Sequence, residues 1–299
     1  MSTIEQASKR LEQLRKAGVE MPWAHDAESA ALSPTHPASL AGVLQDIPTP
    51  TAPLAPAKHR IEIDLAGLEQ AGYLIPGSPR SRLQDEFRGV KRPLLANVQG
   101  RKTADPVERG NLIMITSSLP GEGKTFTSIN LAMSMAMEMN HSVLLVDADA
   151  TRMSAARRLG LQDTRRGLID LLLDSTLDLS DVELSTNVDK LTFLPAGTQD
   201  DRATEIFSSQ AMRDFLDRMA AHQQDRIVIF DAPPLLASAE ARVIAPQMGQ
   251  IVLVVHAGKT HQGSVQQALS ILEESGIVMT LLNQSRTPSA SSPYGYYAY

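Results

Sequence analysis

The chain has 299 residues, enough for one large or two modest domains, and a mildly acidic net charge of −6. That balance leaves no basic footprint for nucleic acid, and no nucleic-acid partner is expected. Cysteine is absent, which excludes a disulfide framework, a thiolate metal site and a Cys nucleophile, and no apolar run approaches the about 18 to 20 residues of a membrane span.

The opening, MSTIEQASKRLEQLRKAG, lacks the apolar core of a secretory signal, so a cytoplasmic protein is expected. Work at a membrane would need a partner to hold it there. Ile4, Ala7, Leu11 and Leu14 recur at helical spacing, with Lys9, Arg10, Glu12, Arg15 and Lys16 on the other faces. Residues 3–17 therefore read as an amphipathic helix ended by Gly18, either docking a partner or packing on its own domain.

Between residues 22 and 56 stand seven prolines among Ala, Ser and Thr, a composition that cannot offset its own ordering entropy by burial. It reads as a linker, and HRIEIDLAGL after it as a short docking strand. The expected division is residues 1–79 as helix plus linker, 80–284 as the globular domain, and 285–299 as a flexible tail.

From about residue 80, SRLQDEFRGVKRPLLANV has a helical pattern. Apolar runs then alternate with helical stretches: LIMI (112–115), VLLV (143–146), LTFL (191–194), IVIF (227–230), IVLVV (251–255) and IVMTLL (277–282). Each is short, branched and continuous rather than alternating, the mark of strands buried on both faces of a mostly parallel sheet. The rhythm predicts an α/β doubly wound domain.

The first of these strands runs directly into SSLPGEGKTFTSINLAMSMAMEM. Strand, glycine-rich loop and helix in that order form a phosphate-binding loop, with Pro120, Gly121, Glu122, Gly123, Lys124, Thr125 and Phe126 as its nucleotide-binding residues. Lys124 would lie against the β- and γ-phosphates of ATP, and the Thr125 hydroxyl would ligate Mg²⁺. Ser118 stands where the eight-residue pattern usually has its first glycine. A second Gly-Lys-Thr, residues 258–260, follows IVLVVHA without a glycine-rich loop and is read as a coincidence. Met133, Met135, Met137 and Met139 read as core packing on the helix after the loop.

Two strands end in carboxylates. VLLVDADATR places Asp147 and Asp149 after one, and IVIFDAPP places Asp231 after another. Ligands of open parallel sheets bind at these C-terminal ends, so three acids beside a phosphate loop predict a Mg²⁺–nucleotide site. Asn283, at the end of the last strand, either faces an adenine ring or starts a turn.

Of five tyrosines, four (Tyr294, Tyr296, Tyr297 and Tyr299) lie in the last six residues, after a Ser/Pro-rich spacer. From Asn283 to Tyr299 the chain could span about 50 Å, enough to present these phenols to a neighbouring molecule.

Read together, SSLPGEGKT, VLLVDAD, IVIFDAPP, DEFRGVKRPLL and the tyrosine cluster resemble the bacterial tyrosine kinases, which are built on the P-loop ATPase scaffold. The opening resembles the subgroup encoded beside exosortase/PEP-CTERM exopolysaccharide genes. The resemblance implies autophosphorylation of the tail, in trans within a ring oligomer, with ATP and Mg²⁺. It implies that Asp149 and Asp231 hold Mg²⁺ and that Asp147 receives the tyrosine hydroxyl, while Asp85, Arg88 and Lys91 join subunits. It also implies a membrane chain-length-determinant (Wzz-like) activator, a protein-tyrosine phosphatase, and a place at the inner membrane through that partner. Arg152 is displaced by one position from the family's usual arginine and is left outside the predicted site. The rival on the same scaffold is a ParA/MinD-type switch ATPase, whose early loop lysine is replaced here by Leu119. A nucleotide-binding scaffold that transfers nothing is a third expectation, opposed by the intact Lys124, Thr125 and acids.

Overall fold

The computed structural model describes residues 54–100, 105–161, 165–223 and 225–285. The expected helix over residues 3–17, the proline-rich stretch up to residue 53 and the tail tyrosines Tyr294, Tyr296, Tyr297 and Tyr299 lie outside those residues.

In chain order the described elements are β1 (His59–Arg60), α1 (Leu65–Gln70), α2 (Arg82–Gln99), β2 (Leu112–Ser117), α3 (Lys124–Ala136), β3 (Ser142–Asp147), α4 (Ser154–Arg158), α5 (Leu168–Leu173), α6 (Leu179–Val182), β4 (Leu184–Ser185), β5 (Leu191–Leu194), α7 (Ala203–Phe207), α8 (Gln210–Ala220), β6 (Arg226–Asp231), α9 (Ala239–Ile244), β7 (Gln250–His256), α10 (Gln262–Ile271) and β8 (Ile277–Asn283). All six expected strands form. They join β1 and β4 in one sheet of order β1-β4-β5-β3-β6-β2-β7-β8. Only the β4–β5 pairing is antiparallel.

Continuous apolar runs become strands here because helices cover both faces. Every residue of β2 and of β6 is buried. One core lies between the sheet and α5, α7, α8 and α9, with Phe207, Phe215 and Phe230 fully buried. The other lies beneath α2 and α3, where Leu94, Ile129, Met133 and Met135 are fully buried. β8 departs from the expectation of two buried faces. As the edge strand it leaves Ile277, Thr280 and Leu282 exposed.

The methionine expectation divides at the end of α3. Met133 and Met135 sit inside a helix buried almost all round, whereas Met137 and Met139 follow its last residue and are exposed.

Two expectations on the N-terminal side need correction. The folded domain does not begin at residue 80. β1 pairs with β4, and Ile61, Ile63, Leu68, Tyr73, Leu74 and Ile75 are buried in the core beneath α2 and α3. Burial of each large apolar side chain contributes about 1.5–3 kcal/mol, so this segment is part of the domain's stability. Side-chain amides fasten it as well: Asn130 Oδ1 accepts from the Leu74 N–H at 2.6 Å, and Asn187 brackets Ile63.

The second correction concerns Lys91. In α2, started by a Ser81/Gln84 capping box, Asp85 and Arg88 face solvent and pair with each other at 3.4 Å. Lys91 instead turns inward, donating to the Ser134 carbonyl at 2.8 Å and pairing with Glu138 at 2.6 Å. Its charge is used within the subunit, tying α2 to α3.

Candidate active site

The strand order places the C-terminal ends of β3, β6 and β2 side by side. Asp147 is in register with Asp231, and Asp231 with Ile115. Two acidic strand ends therefore lie in succession on one side of the loop that leaves β2.

That loop has the backbone of an anion cradle. Gly121 and Gly123 have φ of 85° and 98°, and the N–H groups of Gly121, Glu122 and Gly123 donate to no acceptor among the described residues. With the free amides of the first turn of α3, they form a concavity of unpaired donors at a positive helix end. Gly123 has a second reason to lack a side chain, since a Cβ would stand 2.0 Å from Asn283 Nδ2. At Ser118 φ is not positive, which is why a residue with a side chain is tolerated there.

Lys124, 7% exposed, lies across the cradle with Nζ 3.0 Å from Asp149 Oδ2 and 4.0 Å from Asp231 Oδ1. Burial alone would lower its pKa, but Asp231 and Asp149 outweigh that and raise it, so the ammonium stays charged. Asp231 accepts from the Thr125 hydroxyl at 2.7 Å and the Ser128 hydroxyl at 3.0 Å. Burial nevertheless holds its pKa above the usual carboxylate range.

Asp147 has a different neighbourhood. One oxygen accepts from the Asp149 N–H at 3.2 Å, the other from the Ala155 and Ala156 N–H groups at 3.1 Å each. It is fully buried, and desolvation together with the Asp231 charge lifts its pKa to about 7 despite those donors. Three of about four acceptor positions on the carboxylate are used. Three acids therefore surround the single lysine of the buried centre.

A cleft of about 290 Å³ opens over this centre, lined by Gly121, Gly123, Lys124, Thr125 and Phe126 with Tyr73, Arg152, Ser154 and Arg158. The predicted residues Lys124, Thr125, Asp147, Asp149 and Asp231 thus converge. Pro120 is exposed beside the cleft, Glu122 is buried beneath the loop, and the Asn283 amide donates to the Glu122 carbonyl at 2.9 Å.

Sequence reasoning missed three contributors. Ser128 lies one helical turn past Lys124, a spacing that the pattern GKTFTS already displays. Arg152, set aside for its displaced position, lines the cleft, and its N–H donates to Asp149 Oδ1 at 3.1 Å. Tyr73 packs its ring 4.9 Å from that of Phe126, and nothing local in the sequence announces that contact.

A family model described as an AAA domain matches residues 110–273. The chain is 33% identical over 231 residues to the tyrosine-protein kinase YwqD of Bacillus subtilis, covering 76% of this chain and 92% of that protein. It is 29% identical over 183 residues to the tyrosine-protein kinase CpsD of Streptococcus agalactiae, covering 60% and 78%. Among solved structures, the VpsO kinase domain superposes with a TM-score of 0.54 at 26% identity, over 68% of this chain and 98% of that one. The chimerical protein CapA2B2 shares the fold, with a TM-score of 0.57 at 23% identity over 72% and 97%. A phosphate cradle, a buried lysine and acidic strand ends on this scaffold, in a chain so similar to such proteins, place it in the family of bacterial tyrosine-protein kinases.

Proposed function

We propose that this chain is an ATP-dependent protein-tyrosine autokinase that phosphorylates its own C-terminal cluster, Tyr294, Tyr296, Tyr297 and Tyr299, in trans within a ring oligomer that governs exopolysaccharide synthesis or export. The observation that carries the proposal is the convergence of Lys124, Thr125, Asp147, Asp149 and Asp231 at the strand ends, with Lys124 and Thr125 lining one cleft. Four of the five tyrosines in the chain supply the acceptors.

In this reading the loop amides and Lys124 bind the phosphates of ATP. Among the described residues no three His, Cys, Asp or Glu side chains form a metal cage. Mg²⁺ needs only one or two carboxylates besides phosphates and water, and the excess of buried carboxylate over Lys124 suits a divalent cation. Asp149, Asp231 and the Thr125 hydroxyl would hold it, and when bound it neutralises charge on the phosphates.

The phenol oxygen of an incoming tyrosine forms the new bond to the γ-phosphorus while the bond from that phosphorus to the β,γ-bridging oxygen breaks. ADP leaves with the electron pair. The phenol proton passes to Asp147, whose pKa near 7 suits a group that must accept a proton at neutral pH. Since a free phenol is ionised only about one part in a thousand at pH 7, alignment against this carboxylate supplies much of the effect.

Asp85 and Arg88 on the exposed face of α2 would contact the next subunit, and a membrane chain-length-determinant (Wzz-like) protein would anchor and activate the ring. A protein-tyrosine phosphatase would reset it. Against a ParA/MinD-type switch stands Leu119 at the position of the second loop lysine.

Intact-mass spectrometry after incubation with Mg²⁺-ATP tests the proposal. Several added phosphates are expected on the wild type and none on Lys124→Met or on a chain truncated after Pro293. ATP hydrolysis without mass gain would favour the switch ATPase instead.

A further inference from the structure

The second Gly-Lys-Thr is not a phosphate site, yet its threonine is not idle. Residues 258–260 lie in the turn after β7, and α10 begins only at Gln262. Thr260 Oγ1 accepts from the His256 N–H at 3.1 Å and donates its own proton to Glu122 Oε1. The other oxygen of Glu122 accepts from the Leu119 N–H at 2.9 Å. Asn283, at the end of the neighbouring β8, donates to the Glu122 carbonyl at 2.9 Å.

Glu122 is 3% exposed, a carboxylate inside the phosphate loop whose side-chain oxygens are met by the Leu119 N–H and the Thr260 hydroxyl. A buried carboxylate beside an anion cradle is costly unless its lone pairs are satisfied. Here one donor comes from the loop itself and the other from outside it. The loop is thereby closed on itself through Leu119 and latched to the ends of β7 and β8 through Thr260 and Asn283. The Glu122 side chain and carbonyl are both engaged, while the N–H groups of Gly121, Glu122 and Gly123 donate to no acceptor among the described residues.

We infer that Thr260 is a positioning residue of the kinase: through its hydroxyl bond to Glu122 it holds the phosphate loop in the nucleotide-receptive conformation before ATP arrives. The inference rests on the proposed ATP site, and it predicts an effect on loop order that does not need nucleotide. Preorganised donors are worth more than donors that must be ordered on binding, because the ordering entropy has already been lost. A hydrogen bond to a charged group contributes enough that its loss corresponds to roughly a tenfold change in the loop's opening equilibrium.

The experiment compares full-length wild type, Thr260→Val, Thr260→Ser and Glu122→Gln. In nucleotide-free protein, hydrogen exchange at the Leu119 amide should quicken by about tenfold in Thr260→Val and return towards wild type in Thr260→Ser, which keeps the hydroxyl. The KM for Mg²⁺-ATP should rise by about tenfold in Thr260→Val, with kcat falling less. Glu122→Gln should show the same exchange change even if Thr260→Val proves poorly folded.

Wild-type exchange at Leu119 in both Thr260→Val and Glu122→Gln would overturn the latch. Equal losses in Thr260→Val and Thr260→Ser would also overturn it, because packing rather than the hydroxyl would then be responsible. If exchange responds as expected but the wild type binds no Mg²⁺-ATP, the latch on the loop stands and the proposed ATP site falls.

Discussion

Lys124 and Asp149 form a buried ion pair, Nζ to Oδ2 3.0 Å, with the lysine 8% and the aspartate 2% exposed at their side chains. The pair keeps the Lys124 ammonium charged and confined, and in the proposed ATP site the phosphates would share Lys124 with Asp149 and Asp231.

Replacing Lys124 by Met leaves three buried acids without their counter-charge. Phosphorylation should fall at least a hundredfold, on the scale of losing one transition-state donor. Breaking a buried pair costs about 3–5 kcal/mol, and protons taken up by the orphaned carboxylates offset part of it at low pH. The melting temperature of Lys124→Met should therefore fall short of wild type by more at pH 8 than at pH 6, a difference that scanning calorimetry reads directly.

The raised pKa of Asp147 has a definite sign. Its unfolded carboxyl titrates in the ordinary range near 3.8 and its folded one near 7, so between those values the native state binds more protons. Stability linked to Asp147 is fully present below the lower value and is lost as pH rises towards 7. Between pH 5 and 7 wild-type stability should fall, and in Asp147→Asn that slope should flatten. Denaturant titrations at each pH measure both slopes, and equal slopes would contradict the assignment.

Gly123→Ala faces two obstacles, a φ of 98° and an Asn283 Nδ2 atom 2.0 Å from where the new Cβ must sit. Loss of the Asn283–Glu122 contact should accompany loss of nucleotide affinity. Mant-ATP titration should show weakening of at least tenfold, and Asn283→Gly in the same chain should recover only part of it, since the left-handed backbone remains strained.

A chain beginning at residue 54 should melt cooperatively, whereas one beginning at residue 80 should melt lower or aggregate. The second chain lacks Ile61, Ile63, Leu68, Tyr73, Leu74 and Ile75, which the core beneath α2 and α3 buries. Equal melting temperatures would show that this segment contributes nothing to the fold.

Phosphates on the tail each add about −1.5 to −2 charges at pH 7. Tails so charged should leave a site already rich in Asp and repel one another. Sedimentation velocity should find a smaller assembly after phosphorylation than after phosphatase treatment, and an unchanged size would contradict assembly cycling with phosphorylation.

What the sequence determined by itself was local. Six strands were legible because a covered parallel sheet favours continuous branched apolar runs, and LIMI, VLLV, LTFL, IVIF, IVLVV and IVMTLL each became one, although edge strand β8 is not buried on both faces. The phosphate loop was legible because strand, GEGKT and helix lie within a few residues. The acids were legible because Asp147, Asp149 and Asp231 end such runs. Tertiary structure alone decided what those residues face. Asp147 turns onto the start of α4, Lys91 is drawn inside to Ser134 and Glu138, and Tyr73 crosses to Phe126. Thr260 reaches Glu122 across 138 positions of sequence, and Asn283 reaches the same residue across 161. Such contacts follow from strand order, which sets the ends of β7 and β8 beside the loop leaving β2. No local periodicity encodes that order, because it is chosen by how the whole chain buries its apolar faces at once.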